Sequence, residues 1–225
     1  MSPIMSRNTI AACVLLLCVF VTPVAGGVFG GDDGTPVTCG SSIKLLHAST
    51  KYRLHSHEVA YGSGSGQQSV TCFEGGDDAN SYWTVQAGMG AKAEACPQGT
   101  VLKHGSIIRF QHASTKKWLH SHLHQSPLSG NQEVSCYGGQ DQSDTGDNWR
   151  VELEKGSTWV KDGKVRLVHV DTEKSLGSHD KKFGRPIAGQ QEVCAFQPKN
   201  ANGLWMATEG VYMPMAGSED ANGEL

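Results

Sequence analysis

The stretch "YRLHSHEVAYGSGSGQQSV", residues 52–70, sets the problem. His55 and His57 flank a serine, and a His-x-His pair can clamp a metal or simply line one face of a strand. Side chains alternate along a strand, so Leu54 and Ser56 share one face and the two imidazoles the other.

The same phrase returns twice. "KWLHSHLHQSPLSGNQEVS" occupies 117–135 and "SLGSHDKKFGRPIAGQQEV" occupies 175–193. Segments 40–57, 105–122 and 162–179 align without gaps. Shared positions include His47/His112/His169, Thr50/Thr115/Thr172, Leu54/Leu119/Leu176 and the last histidine, His57/His122/His179. Glycine, glutamine and valine then recur as Gly66/Gly130/Gly189, Gln68/Gln132/Gln191 and Val70/Val134/Val193. Each unit closes on a tryptophan: Trp83, Trp149, Trp205. Three repeat units follow, at 36–96, 97–155 and 156–213, with a flexible tail expected at 214–225.

The first unit reads as four short strands near 42–47, 52–57, 67–73 and 82–86, with turn chemistry at 49–51 and 61–66. Strands of about five residues cannot bury two faces alone. Three four-stranded units around an axis can, and closure removes exposed sheet edges. A solenoid needs more copies and end caps, and a propeller more blades. The expected fold is therefore all-β, a β-trefoil. The recurring leucine faces the core, so the histidines point outward or into a loop interface. An imidazole repeated by internal symmetry reads as a group that fixes a hairpin, so His57, His122 and His179 are assigned a structural role, and no metal or cofactor is expected. The three symmetry-related tryptophans read as core.

The 225 residues carry a formal net charge of −3, which offers no basic face for nucleic acid. The apolar run at 10–21, followed by Pro23 and the small residues Ala25–Gly27, reads as a cleaved signal peptide over 1–26. It is too short to span a bilayer, and no later run is longer, so no membrane span is expected after cleavage. Of seven cysteines, Cys13 and Cys18 leave with the signal. Cys39 and Cys96 flank the first unit and are expected to form a disulfide. Cys72 and Cys136 hold equivalent inward positions, expected to be buried thiols. Cys194 sits one position earlier than its mates, so it is expected to face the other way and to be the most reactive thiol.

No carboxylate pair, Gly-x-Ser-x-Gly elbow or phosphate loop stands out, which argues against catalysis. "LHSHEVAYGSGSGQQSVT", "WLHSH", "SPLSGNQEVS" and "GRPIAGQQEV", with "SYW" and "DNW" at unit ends, resemble MIR-domain proteins, and most of all the stromal cell-derived factor 2 family, over 36–214. The resemblance implies a trefoil without enzymatic activity, resident in the endoplasmic reticulum lumen. It implies association with a J-domain co-chaperone and BiP in handling unfolded secretory clients. Glycan binding is the alternative. The terminus Asn222-Gly223-Glu224-Leu225 is a degenerate version of the family's retention signal, with secretion as the alternative location. The third unit departs furthest from the repeat, with Gly177 in place of a histidine. Lys181, Lys182, Phe183 and Arg185 there are the candidate partner-binding residues.

Overall fold

The computed structural model describes residues 34–217. The signal-peptide and retention-signal assignments fall outside them. Twelve strands follow in order: β1 (Ser42–His47), β2 (Arg53–Ala60), β3 (Gln68–Phe73), β4 (Tyr82–Ala87), β5 (Ile107–His112), β6 (Trp118–Gln125), β7 (Gln132–Tyr137), β8 (Trp149–Leu153), β9 (Lys164–His169), β10 (Ser175–Lys182), β11 (Gln191–Phe196) and β12 (Trp205–Val211). A single 3₁₀ turn precedes the last strand of each unit: Ala79–Ser81, Thr145–Asp147 and Ala201–Gly203.

The pairings make a closed ring. β1 pairs with β4, β4 with β5, β5 with β8, β8 with β9, β9 with β12, and β12 with β1, all antiparallel. Three hairpins, β2–β3, β6–β7 and β10–β11, form the cap. Their second strands also pair with one another in a triangle. Six barrel strands plus three capping hairpins are a β-trefoil. No barrel strand is left with an open edge, which is what closure achieves.

The core repeats as the chain does. Leu54, Leu119 and Leu176 point inward from the hairpins, opposite Cys72, Cys136 and Ala195, and Val70, Val134 and Val193 on the same partner strands are buried with them. Trp83, Trp149 and Trp205 are fully buried between barrel and cap. Each indole N–H donates to the carbonyl of the inward leucine of its own unit, at 3.0, 2.9 and 2.9 Å. Burial alone would leave those N–H groups unsatisfied, so the bond fixes which way each ring enters the core.

Cys39 and Cys96 are disulfide-bonded, with Cα atoms 5.9 Å apart. The bridge ties the long β4–β5 connection to the start of the first unit. The C-terminal segment is tied down at its start: Met213 N donates to Ser41 Oγ and Ala216 N to Gly99 O, both at 3.0 Å.

Two expectations need correction. Cys194 does turn away from Cys72 and Cys136: it pairs with Gly177, in the register position of Thr71 and Ser135. It is nonetheless buried, because the neighbouring hairpin loop covers that face and Asn131 Nδ2 lies 3.5 Å from its sulfur. Burial pushes its thiol up to about 11, and those of Cys72 and Cys136 to about 12, so none is a ready nucleophile. The second correction concerns the histidines.

Candidate functional site

Two sets of histidines lie behind the repeat, and they do different work. The first set is His47, His112 and His169, at the ends of β1, β5 and β9. The turn that follows places Lys51, Lys116 and Glu173 in left-handed conformations, with φ of 64°, 58° and 53°. That turn brings Thr50, Thr115 and Thr172 against the imidazoles. Nδ1 lies 2.9, 2.9 and 2.8 Å from the three threonine hydroxyls. Nε2 lies 2.9, 2.9 and 3.0 Å from the carbonyls of Asn202, Asn80 and Gly146, each in the 3₁₀ turn of the preceding unit around the ring.

A carbonyl only accepts, so Nε2 carries the proton and Nδ1 accepts from the threonine. Each ring also tilts against a core tryptophan, with centroids 4.9–5.2 Å apart. Burial holds all three below the ordinary histidine value. These three clasps join each unit to its neighbour. The carbonyl-bonding structural role that repetition suggests for His57, His122 and His179 belongs to this set instead. The His-x-x-Thr spacing, repeated three times, was the available signal.

The second set sits on the outer face of the capping hairpins. His122 Nε2 donates to Glu133 at 2.9 Å, and His179 Nε2 to Glu192 at 2.8 Å. Both carboxylates are fully buried. Each also pins the hairpin loop of the preceding unit. Glu133 accepts from Ser65 N and Oγ, and Glu192 from Leu128 N at 2.6 Å and Ser129 N at 3.3 Å. Burial pushes Glu133 up, but the bonds from His122 and Ser65 outweigh it and hold the carboxyl below the usual carboxylate range. In the first unit the equivalent residue is Ser69, so His57 meets no carboxylate there and the loop at 183–190 gains no such pin.

The inner member of each His-x-His pair is more deeply placed. His55 Nδ1 bonds Asp78 Oδ2 at 2.7 Å, and His120 Nδ1 bonds Asp147 Oδ1 at 2.9 Å. In the third unit Gly177 takes this position because the Phe196 ring and the Asn202 carbonyl fill the space a side chain would need.

Among the described residues, two groups of three donor atoms lie within 4.8 Å of one another: His120–Asp144–Asp147 and His179–Glu192–Cys194. Both are spent internally. Asp144 and Asp147 form the capping box of the 3₁₀ turn. His179 Nδ1 accepts from Lys181 N at 3.2 Å, so its Nε2 is protonated and bound to Glu192.

The candidate partner-binding residues cluster at the tip of the third hairpin. Lys181 and Arg185 are exposed. Phe183 is half-buried, its ring 6.3 Å from that of Tyr61. Lys182 is engaged within the molecule: Nζ donates to Tyr52 Oη at 2.8 Å and lies over that ring. A shallow groove of about 460 Å³ lies beside the second hairpin, lined by His122, Leu123, Asp144, Thr145, Asp171 and Thr172.

A MIR domain model matches residues 54–207. A stromal cell-derived factor 2-like protein of Arabidopsis thaliana is 54% identical over 85% of this chain and 87% of its own length. Human stromal cell-derived factor 2 is 49% identical over 79% of this chain and 82% of its own. The crystal structure of an Arabidopsis SDF2-like protein superposes with a TM-score of 0.77 at 55% identity, covering 80% of this chain and 99% of that one. A Saccharomyces cerevisiae protein O-mannosyltransferase complex bound to the sugar donor aligns with a TM-score of 0.71 at 33% identity. That alignment covers 80% of this chain but 26% of the transferase chain.

Proposed function

Because this chain belongs to the stromal cell-derived factor 2 family of MIR-domain proteins, we propose that it is a non-enzymatic quality-control factor of the endoplasmic reticulum lumen. It acts in company with a J-domain co-chaperone and BiP on unfolded secretory clients. Family membership carries this reading, and the surface supports it. A protein that holds unfolded chains by itself needs contiguous exposed apolar area. Here the exposed large hydrophobic side chains among the described residues are Phe73, Met89, Leu123, Leu128, Val211 and Met215, drawn from several different segments. Client affinity then comes chiefly from the partner, with the trefoil prolonging the complex. No helix among the described residues is long and apolar enough to cross a membrane.

The docking surface in this reading is the tip of the third hairpin, whose loop is the one without a buried carboxylate pin. Lys182 already serves Tyr52, so the clean perturbation is a charge swap at Lys181 and Arg185. It is expected to weaken co-chaperone binding while leaving the melting temperature unchanged. Normal binding by that variant, with loss in a variant of the 61–66 loop, places the partner elsewhere. The groove beside the second hairpin, with the likeness to a mannosyltransferase, favours glycan binding as the second reading. Co-precipitation from lumen separates the two: chaperones in the pellet support the first, and elution by simple sugar supports the second.

A further inference from the structure

Repetition makes the outer histidines structural, and repetition fails in the first unit. In the second and third units Glu133 and Glu192 take the outer histidine's Nε2 proton. The first unit has Ser69 at that position, and its hydroxyl donates to Val59 O at 2.8 Å. His57 Nε2 is therefore buried with no partner among the described residues, and so is His55 Nε2. His55 is only 4% exposed. Its Nδ1 faces Asp78, and a carboxylate accepts, so Nδ1 holds the proton and Nε2 presents a lone pair. A buried nitrogen left unpaired in this way calls for an explanation.

We propose that His55 and His57 form a binding site, through their Nε2 atoms, for an imidazole-seeking first-row transition cation, Zn²⁺ or Cu²⁺. Metal-ligating histidines characteristically donate their other N–H to a carboxylate, which fixes the tautomer and raises ligand basicity, and Asp78 is placed to do this for His55. The ring geometry agrees. With a metal–nitrogen bond of about 2.0–2.1 Å, the ion lies roughly 3.2 Å from each ring centroid, and a tetrahedral angle then separates the centroids by about 5.2 Å. The His55 and His57 centroids are 5.1 Å apart. That spacing also occurs at His120–His122, so the discriminating feature is the free nitrogens. Nitrogen donors exclude Ca²⁺ and Mg²⁺, which take oxygen. Two protein nitrogens are fewer ligands than a structural zinc site supplies, so the affinity is modest.

The test is calorimetric titration of the tag-free chain with ZnCl₂ and, separately, CuCl₂, with ¹⁵N spectra of the imidazoles recorded alongside the zinc series. One equivalent binding at micromolar Kd is expected, with the Nε2 signals of His55 and His57 responding to zinc. His57→Ala, which removes no hydrogen bond of the metal-free protein, abolishes it. Asp78→Asn weakens it by roughly 10–100-fold, and His122→Ala leaves it unchanged. The proposal is overturned by no binding of either ion at about 100 µM, by a response confined to other imidazoles, or by binding that survives His57→Ala. The imidazole spectra of the unaltered chain decide the matter if a variant folds poorly. The result does not depend on which partners the protein has.

Discussion

The histidine clasps can be tested at His169, where the arithmetic is cleanest. His169→Ala removes a 2.8 Å bond with Thr172 and a 3.0 Å bond with Gly146 O, and takes away a ring packed on Trp149. Two hydrogen bonds contribute about 1 kcal/mol each net. Emptying the space of a fully buried ring adds about 2 kcal/mol. The loss is then about 4 kcal/mol, or roughly 8–16 °C in melting temperature for a domain of this size. Thermal unfolding followed by tryptophan fluorescence reads it directly, with His124→Ala as the surface control. The clasp also has a signature in pH. Burial lowers the folded pKa of His169 below its ordinary 6.5. Stability is therefore fully present above pH 6.5 and is lost as pH falls from 6.5 toward the folded value. In that window the unfolded chain binds a proton that the folded chain does not, so each clasp contributes a slope of up to about 1.4 kcal/mol per pH unit. His169→Ala should remove one such increment, leaving those of His47 and His112. A variant as stable as the His124→Ala control, or one with an unaltered pH slope, would refute the reasoning.

Four further outcomes follow from the geometry. Glu192→Gln, which weakens the pin on the preceding loop, should destabilise by about 2–4 kcal/mol and speed hydrogen exchange at Leu128 and Ser129; unchanged exchange there counts against the pin. Glu133 has a lowered folded pKa, so its contribution is present above about 4.5, the ordinary carboxylate value, and is lost as pH falls through the folded value. Glu133→Gln should flatten the stability profile in that more acid range and leave the histidine window alone. Cys72, Cys136 and Cys194 should all resist alkylation in the native protein at pH 8, checked by mass spectrometry, and fast labelling of any one contradicts its burial. Replacing Cys39 and Cys96 by serine should cost roughly 4 kcal/mol in the chain-entropy model, with the sequence separation of 57 setting the loop size; a melting temperature within 2–3 °C of the parent, less than roughly 1 kcal/mol, argues that the bridge adds little.

Much of this protein is local and therefore legible along the chain. The strand boundaries, the inward leucines and valines, the three core tryptophans and the threefold closure all follow from a period-2 pattern repeated three times. That pattern leaves each unit unable to bury its own apolar face. The paired cysteines flanking the first unit belong to the same class of inference, since a closed unit brings its ends together.

What the sequence could not assign were partners supplied by a different unit. His47, His112 and His169 close on turns of another unit, 155, 32 and 23 residues away along the chain. Ser65 and Glu133 meet only because the capping strands converge at the axis. Cys194 was rightly oriented by register, yet its exposure depends on Asn131 in a loop of the neighbouring hairpin. The difference between His57 and its two repeats is written one strand away, at Ser69. That difference lies within one hairpin, where β3 pairs beside β2, and it leaves a buried nitrogen where the other units have a carboxylate. Strand periodicity decides which face a side chain takes, and long-range packing decides what that face meets.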